Sequence, residues 1–503
     1  MRVAIASDHA GVGLQETTVD AVRVAGHEPV VLGRATEGDD YPDVALVVGG
    51  ALRTGQAQRG IVLCGSGAGV TVAANKIPLV RAALAYDTYT ARQMVEHDDV
   101  NVLALGARVI GPAVAGDVVA AFVGARFSGA ERHARRLAKV LAMEATRMQG
   151  AAADLAARGQ TLWLDGLEAT ALDDGRLAHW VGDHAVAGAT TSPDRLAAAL
   201  RSGAYAERLA GHDPGDVADP EALAIALMLA DVGAAADLVQ ALHAASGGSD
   251  GYVSIDLPPA MFDDVDGTVE MAQRLMALLD RPNVMVKVPA TRAGHAAARR
   301  LIGEGIPVHV TLVYAEEQYR AAVEAYMEGV ERRLRSAADP RVGSVVSVSV
   351  APWDDATAER VPPALRDTVG LLAARTVERA WDQVWSTERG ERLAADGALA
   401  QRLSFTATTP GDHLPPTWYV DALDIAGSSL VVSEATLDAL DDAGRVAVAD
   451  GAVATDTGQL EDAGLSLDVL GTRLQHDALR RATDSWNGLM DAVTRDGAEA
   501  GAP

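Results

Sequence analysis

The residue with the most chemistry to offer lies in the stretch 283–291, Asn-Val-Met-Val-Lys-Val-Pro-Ala-Thr. Val286 and Val288 flank Lys287 in what reads as a buried strand. An ammonium is costly to bury without a use, and desolvation favours the neutral amine, which attacks a carbonyl to form an imine. A lysine that snorkels to water or pairs with a carboxylate explains the same stretch. A second group is Cys64-Gly65-Ser66-Gly67-Ala68-Gly69, a turn from strand to helix. Small residues there let an anion approach backbone N–H groups at the positive end of a helix. The same field favours the thiolate of Cys64, a base. Asp8-His9 and His97 also stand at strand ends or just before a strand. Each has a plainer reading. The glycines are not the full dinucleotide fingerprint, Cys64 can be a small buried hydrophobe, and His9 and His97 a cap and a surface residue. Together, on one sheet, they favour a site.

Two scaffolds must hold these groups. Strands are expected at 2–7, 27–32, 60–64, 81–86 and 100–105, and helices at 13–25, 43–53, 68–76, 88–96 and 113–124. That alternation predicts βαβ units and an open parallel α/β sheet, Rossmann-like, with ligands at the carboxyl ends of its strands. A helix at 131–147 carries Arg132, Arg135 and Arg136, which read as a basic cluster or as a solvated face. Residues 144–160 are rich in alanine and glycine, so one domain is expected at 1–150 and a second at 151–503. From Thr161 a second rhythm begins, with strands at 161–165, 186–191, 251–257, 283–289, 306–314, 343–351, 403–408 and 429–434. Eight strands alternating with helices predict a (β/α)8 barrel. The helical stretch 195–249 is inserted between its second and third strands, and a helix at about 474–493 closes it. The strand ends present Asp165, Ser192, Asp256, Lys287, Thr311 and Ser347. A lysine ringed by carboxylates and hydroxyls suits imine chemistry: carboxylates move protons and hydroxyls position water. The plainer reading makes Asp165 and Asp256 loop caps.

Composition narrows the partners. The chain has 503 residues, 49% hydrophobic and 22% charged, with a formal net charge of −26. Nucleic acid and acidic lipid are poor partners for such a charge. A single cysteine permits no internal disulfide and fits a reducing compartment. The first residues enter a strand and carry Asp8, unlike a signal peptide. No apolar run is expected to span a bilayer. The expectation is a soluble cytoplasmic protein with neither metal nor other cofactor, no cluster of His, Cys and carboxylate having ligand spacing.

Residues 1–147 resemble the B-type ribose-5-phosphate isomerases and their galactose-6-phosphate isomerase relatives. The matching stretches are Ser7-Asp8-His9-Ala10-Gly11, Asp40-Tyr41-Pro42, Leu63 through Gly69, Ala73-Ala74-Asn75-Lys76, and Asn101 through Arg108. The resemblance implies that Cys64 moves a proton between C1 and C2 of an aldose phosphate. It implies that the amides of the Gly65, Ser66, Gly67 and Gly69 turn hold the enediolate oxygen, and that His97 helps open the furanose ring. Asp8, Tyr41 and Asn101 would meet the sugar. His9, Arg108, Arg132 and Arg136 would hold the phosphate, some of them reaching in from a partner copy, so a homodimer or larger homo-oligomer is expected. Asp98 stands where the family often has asparagine.

The second half resembles the transaldolases, through Leu162-Trp163-Leu164-Asp165, Tyr252 through Asp256, Val284 through Thr291, and Val310-Thr311-Leu312. The resemblance implies a Schiff base between Lys287 and a ketose phosphate. Asp165 and Asp256 would be the acid–base pair, and Thr311 would hold a catalytic water. Ser192, His309 and Ser347 would line the substrate. Departures accompany the match. Asp256 replaces a glutamate, Ser192 an asparagine and His309 another asparagine. Pro352 aligns with a phosphate-binding arginine, Ser349 with an aromatic, and Ser404-Phe405-Thr406 carries no cation. Since phosphate recognition favours arginine's fork, three readings stand. Both halves are active on sugar phosphates of the pentose phosphate region, or the barrel is an aldolase for a changed substrate, or it is a scaffold for assembly or a regulatory ligand.

Overall fold

The computed structural model describes residues 1–32, 40–53, 56–77, 80–145, 151, 154–155, 158–183, 186–210, 219–443, 446, 460 and 464–500. Part of the stretch 144–160 therefore lies outside the described residues. The chain divides into two compact units, Met1–Met148 and Gln149–Pro503.

The first unit is a five-stranded, wholly parallel sheet of β1 (Arg2–Ser7), β2 (Glu28–Val31), β3 (Arg59–Cys64), β4 (Ala82–Leu84) and β5 (Val102–Gly106), in the order β2-β1-β3-β5-β4. Period-two alternation sorts its side chains. Val3, Ile5, Ile61, Leu63, Leu103 and Leu105 enter one apolar layer; Ala4, Ala6, Val62, Cys64, Val102 and Ala104 enter the other. The second face carries the smaller residues and receives the helices Tyr41–Arg53 and Ala68–Ala74. Cys64 ends β3 on that face, beside the point where the strand order reverses.

The second unit is a closed barrel of eight parallel strands: β6 (Thr161–Asp165), β7 (Val186–Thr190), β8 (Val253–Ile255), β9 (Val284–Pro289), β10 (Val308–Val313), β11 (Ser344–Ser349), β12 (Arg402–Thr406) and β13 (Ser429–Val432). Strands covered on both faces read as near-continuous apolar runs, which is why all eight were visible in the sequence. Trp163 fills the barrel floor, its indole N–H donating to Asp250 Oδ1 at 3.1 Å. Gly188 makes room for it: a Cβ there would lie 2.6 Å from the indole ring.

The helix Pro220–Ala245, within the insertion after β7, has a stretch of 25 residues long and apolar enough to cross a membrane by length and composition. Of its most apolar 18-residue window, 56% is buried within the protein. Its Asp231 is 2% exposed, accepts the Tyr205 hydroxyl at 2.5 Å and pairs with Arg208. A buried, ion-paired carboxylate on an all-round apolar helix marks a core helix.

Candidate active sites

In the first unit, β3 delivers Cys64 to the carboxyl edge of the sheet with 4% of its surface exposed. The next residues form a tight turn. Gly67 has a φ of +77°, and a Cβ on it would strike Leu84 Cδ1 at 2.2 Å, so glycine is required there. That conformation points the Gly67 N–H at Cys64 Sγ, 3.0 Å away, as a donor that stabilises negative charge on sulfur. Asp8 follows β1 on the same edge. Its Oδ1 accepts from the amides of Ala10 and Gly11, both at 2.8 Å, which fixes the turn carrying exposed His9. The Tyr41 ring covers Gly69, and the Arg108 side chain lies over Gly65, each close enough to touch a Cβ added at that glycine. Exposed Ser66 is held through its carbonyl, which accepts the Tyr86 hydroxyl at 2.5 Å. Asp8, His9, Tyr41, Cys64, Gly65, Ser66, Gly67, Gly69 and Arg108 thus share one edge.

His97, Arg132 and Arg136 do not join them. His97 is near the carboxyl end of the helix Thr88–Asp98, which runs back to the amino end of β5. Cys64 is in register with Gly106, at the other end of that strand. Four residue steps separate the two edges, roughly 13 Å. At this opposite edge His97 meets His133, ring centroids 4.0 Å apart. Arg132 Nε donates to His133 Nε2 at 3.1 Å, so the ring proton sits on Nδ1 and reaches Ser128 Oγ at 2.7 Å. Desolvation, then the charges of His97, Arg132 and Arg136, hold His133 below the usual histidine value. Asn101 lies at this edge too: it precedes β5, and its Oδ1 accepts from the Arg81 amide at 2.8 Å.

In the barrel, Lys287 points inward from β9. Its Nζ donates to Asp256 Oδ2 at 3.0 Å and to the Thr191 carbonyl at 2.5 Å. An unpaired ammonium would cost several kcal/mol at such a site. Thr191 locks the carboxylate, its Oγ1 donating to Asp256 Oδ2 at 2.8 Å and accepting from the Asp256 amide at 2.9 Å. Asp165 ends β6. Burial pushes its carboxyl up from the ordinary value, against the pull of Lys287 and Arg195. His309 pairs with Lys287 in the strand register. It is buried between two hydroxyls, Nδ1 at 2.7 Å from Ser254 Oγ and Nε2 against Ser347 Oγ. Burial, then the Lys287 charge, pushes it down to about 3, so it works as a neutral imidazole. A bulge in β10 follows, with Leu312 at a φ of +60°, and Thr311 Oγ1 lies 3.4 Å from the Val288 carbonyl.

These groups open into a cavity of about 630 Å³ at the carboxyl ends of the strands, lined by Asp165, Asp256, Lys287, His309, Thr311 and Ser347 among others. Ser192 stands at the N-cap of the helix that follows β7, while Thr190 at the strand end and Asp194 line the cavity and the hydroxyl reaching Asp256 belongs to Thr191. Sequence reasoning also passed over Tyr86, His133, Tyr314 and Arg481. None lies in an apolar strand, where a polar residue stands out.

Two family models match the chain. Residues 3–140 match the family model described as ribose/galactose isomerase, and residues 162–493 match transaldolase/fructose-6-phosphate aldolase. Transaldolase 1 of Streptomyces coelicolor is 36% identical over 367 residues, covering 70% of this chain and 96% of that protein. A transaldolase of Mycolicibacterium smegmatis is 32% identical over 355 residues, 68% of this chain and 96% of its own length. The solved type B ribose 5-phosphate isomerase of Trypanosoma brucei is 46% identical over 28% of this chain and 97% of its own, with a TM-score of 0.28.

Proposed function

The chain belongs to the transaldolase/fructose-6-phosphate aldolase family, with a ribose/galactose isomerase domain fused ahead of the barrel, and from that premise we propose a bifunctional sugar-phosphate enzyme of the pentose phosphate pathway. Its first 150 residues interconvert ribose 5-phosphate and ribulose 5-phosphate. Its barrel, from 151 on, transfers dihydroxyacetone between sugar phosphates.

In the isomerase half, the Cys64 thiolate takes the C2 proton of the open-chain aldose and returns it to C1. The enediolate oxygen meanwhile rests on the amides of the 65–69 turn. Asp8 and Tyr41 hold the hydroxyls, and His9 and Arg108 border the sugar's far end. His97, Arg132 and Arg136 come from a second copy, because within one copy they stand at the wrong edge of the sheet. The working form is therefore a homodimer or larger, and we place it in the cytoplasm.

In the barrel, Lys287 gives its proton to Asp256, and its neutral amine adds to the ketose C2 carbonyl. The protonated Asp165 supplies the proton with which the carbinolamine oxygen leaves as water. Breaking C3–C4 then sends the O4 proton to a carboxylate and leaves an enamine on Lys287. The acceptor aldehyde is attacked by C3, and water positioned by Thr311 hydrolyses the imine. His309 and Ser347 meet the substrate hydroxyls. The observation that carries this reading is the Lys287–Asp256 pair inside a cavity that Asp165 also lines. Borohydride reduction in the presence of fructose 6-phosphate, followed by peptide mapping, is expected to add mass at Lys287. An unmodified Lys287 with both fructose 6-phosphate and dihydroxyacetone overturns the imine. A second reading keeps the imine and changes the substrate. The cavity wall carries Asp165, Asp194, Asp256 and Asp484 against only Lys287 and Arg481, a field suited to an uncharged ketose.

A further inference from the structure

A phosphorylated ketose places its anion at the far end of the cavity from the imine carbon, and the strand ends there offer no cation. Ser349 ends β11, Pro352 follows it within the helix Ala351–Thr357, and Thr406 ends β12. The missing charge comes from elsewhere in the chain. The C-terminal helix Leu467–Ala500 crosses the cavity mouth and is fixed at two points. Gln475 Nε2 donates to the carbonyls of Ala290 and Leu312, at 2.8 and 2.9 Å. Ser485 Oγ donates to Asp194 Oδ2 at 2.8 Å, on the helix after β7. Arg481 lies between the anchors, about 9 Å and 6 Å along the axis from each. It lines the same cavity as Lys287.

Its surroundings are set as well. Tyr314, just past β10, and Ser349 of β11 line that cavity beside Arg481; burial pushes the Tyr314 phenol up, and the guanidinium opposes that push. Tyr314 is 2% exposed and packs against Trp353, beside Pro352. The guanidinium is thus drawn to the side of the mouth where the strand end supplies only Pro352. A guanidinium has five N–H donors in a planar fork, which suits bidentate contact with a phosphate. Asp194 and Asp484 on the same wall disfavour an anion anywhere else at the mouth.

We propose that Arg481 is the phosphate anchor of the barrel site, a cation moved from the strand ends to the capping helix. The inference rests on the sugar-phosphate reading of the barrel and selects it over the uncharged-ketose reading. The test uses the full chain with Lys287→Met, which cannot form an imine, so binding is read apart from chemistry. Calorimetric titration with fructose 6-phosphate is compared in that background with and without Arg481→Ala. The isomerase half is common to both members, so its own binding cancels. Arg481→Ala is expected to weaken the barrel's affinity at least tenfold, and Arg481→Lys to recover part of the loss. In the chain with native Lys287, trapping of dihydroxyacetone should be unaffected by Arg481→Ala, which also reports an intact fold. Equal affinity in the two Met-background proteins, or no binding by the barrel in either, overturns the anchor. Arg481-dependent binding with no trapping at Lys287 would keep the anchor and remove the imine.

Discussion

At the scale of single residues, the barrel site shows how burial divides labour among titratable groups. Asp165 is pushed up from its ordinary value, and His309 is pushed down to about 3. The histidine has a consequence for stability. Between its ordinary value of about 6.5 and about 3, the unfolded chain binds a proton that the folded chain refuses. Its contribution is therefore whole above the unfolded value and is lost as pH falls, on the order of 3 kcal/mol by pH 4. All seven tryptophans lie between Trp163 and Trp486, so their fluorescence reports the second unit alone. Urea unfolding followed that way should show a smaller acid loss between pH 7 and pH 4 in His309→Asn than in the native chain. Equal losses would mean the imidazole is not the group resisting the proton. Lys287, Asp165, Asp256 and Thr311 were legible because a polar residue in or beside an apolar strand has few reasons to be there. Thr191 was hidden by its neighbour: in Thr190-Thr191-Ser192-Pro193 the residue just before the proline drew the assignment, while strand geometry turned its predecessor toward Asp256.

At the scale of elements, the strands were read closely and the C-terminal helix was not. Buried parallel strands announce themselves as short apolar runs, and the differences in their bounds are of a residue or two. Val253–Ile255, for instance, is shorter than the expected 251–257 because Asp256 already belongs to the loop. The helix Leu467–Ala500 was expected only to close the barrel, and an arginine on an amphipathic helix looks like any solvated residue. What marks its role is a tertiary bond that no local pattern carries. Gln475 is 8% exposed and satisfies two carbonyls, one of them on Leu312, which holds a left-handed backbone unusual for its type. Gln475→Ala leaves both acceptors short of a donor, at a cost of about 1–3 kcal/mol. Hydrogen exchange should then speed up across 467–485. Unchanged protection there would show that apolar packing alone holds the helix over the mouth.

At the scale of the whole molecule, the isomerase reading proposed above makes the first unit depend on a second copy. The thiolate and its turn occupy one edge of the sheet; His97, His133 and the arginines occupy the other. Two dead proteins ought therefore to make a live one. Cys64→Ala keeps a sound histidine edge, and His97→Asn keeps a sound thiol edge. Co-refolded in equal amounts, roughly half of random dimers would pair unlike copies, each holding one unspoiled site of two, for about a quarter of native isomerase turnover. Neither variant alone, nor the two mixed without subunit exchange, should show it. If sites are shared between copies as proposed, two different lesions in one gene would rescue each other in a cell, while a single lesion on either edge would spoil sites in partners that are themselves intact.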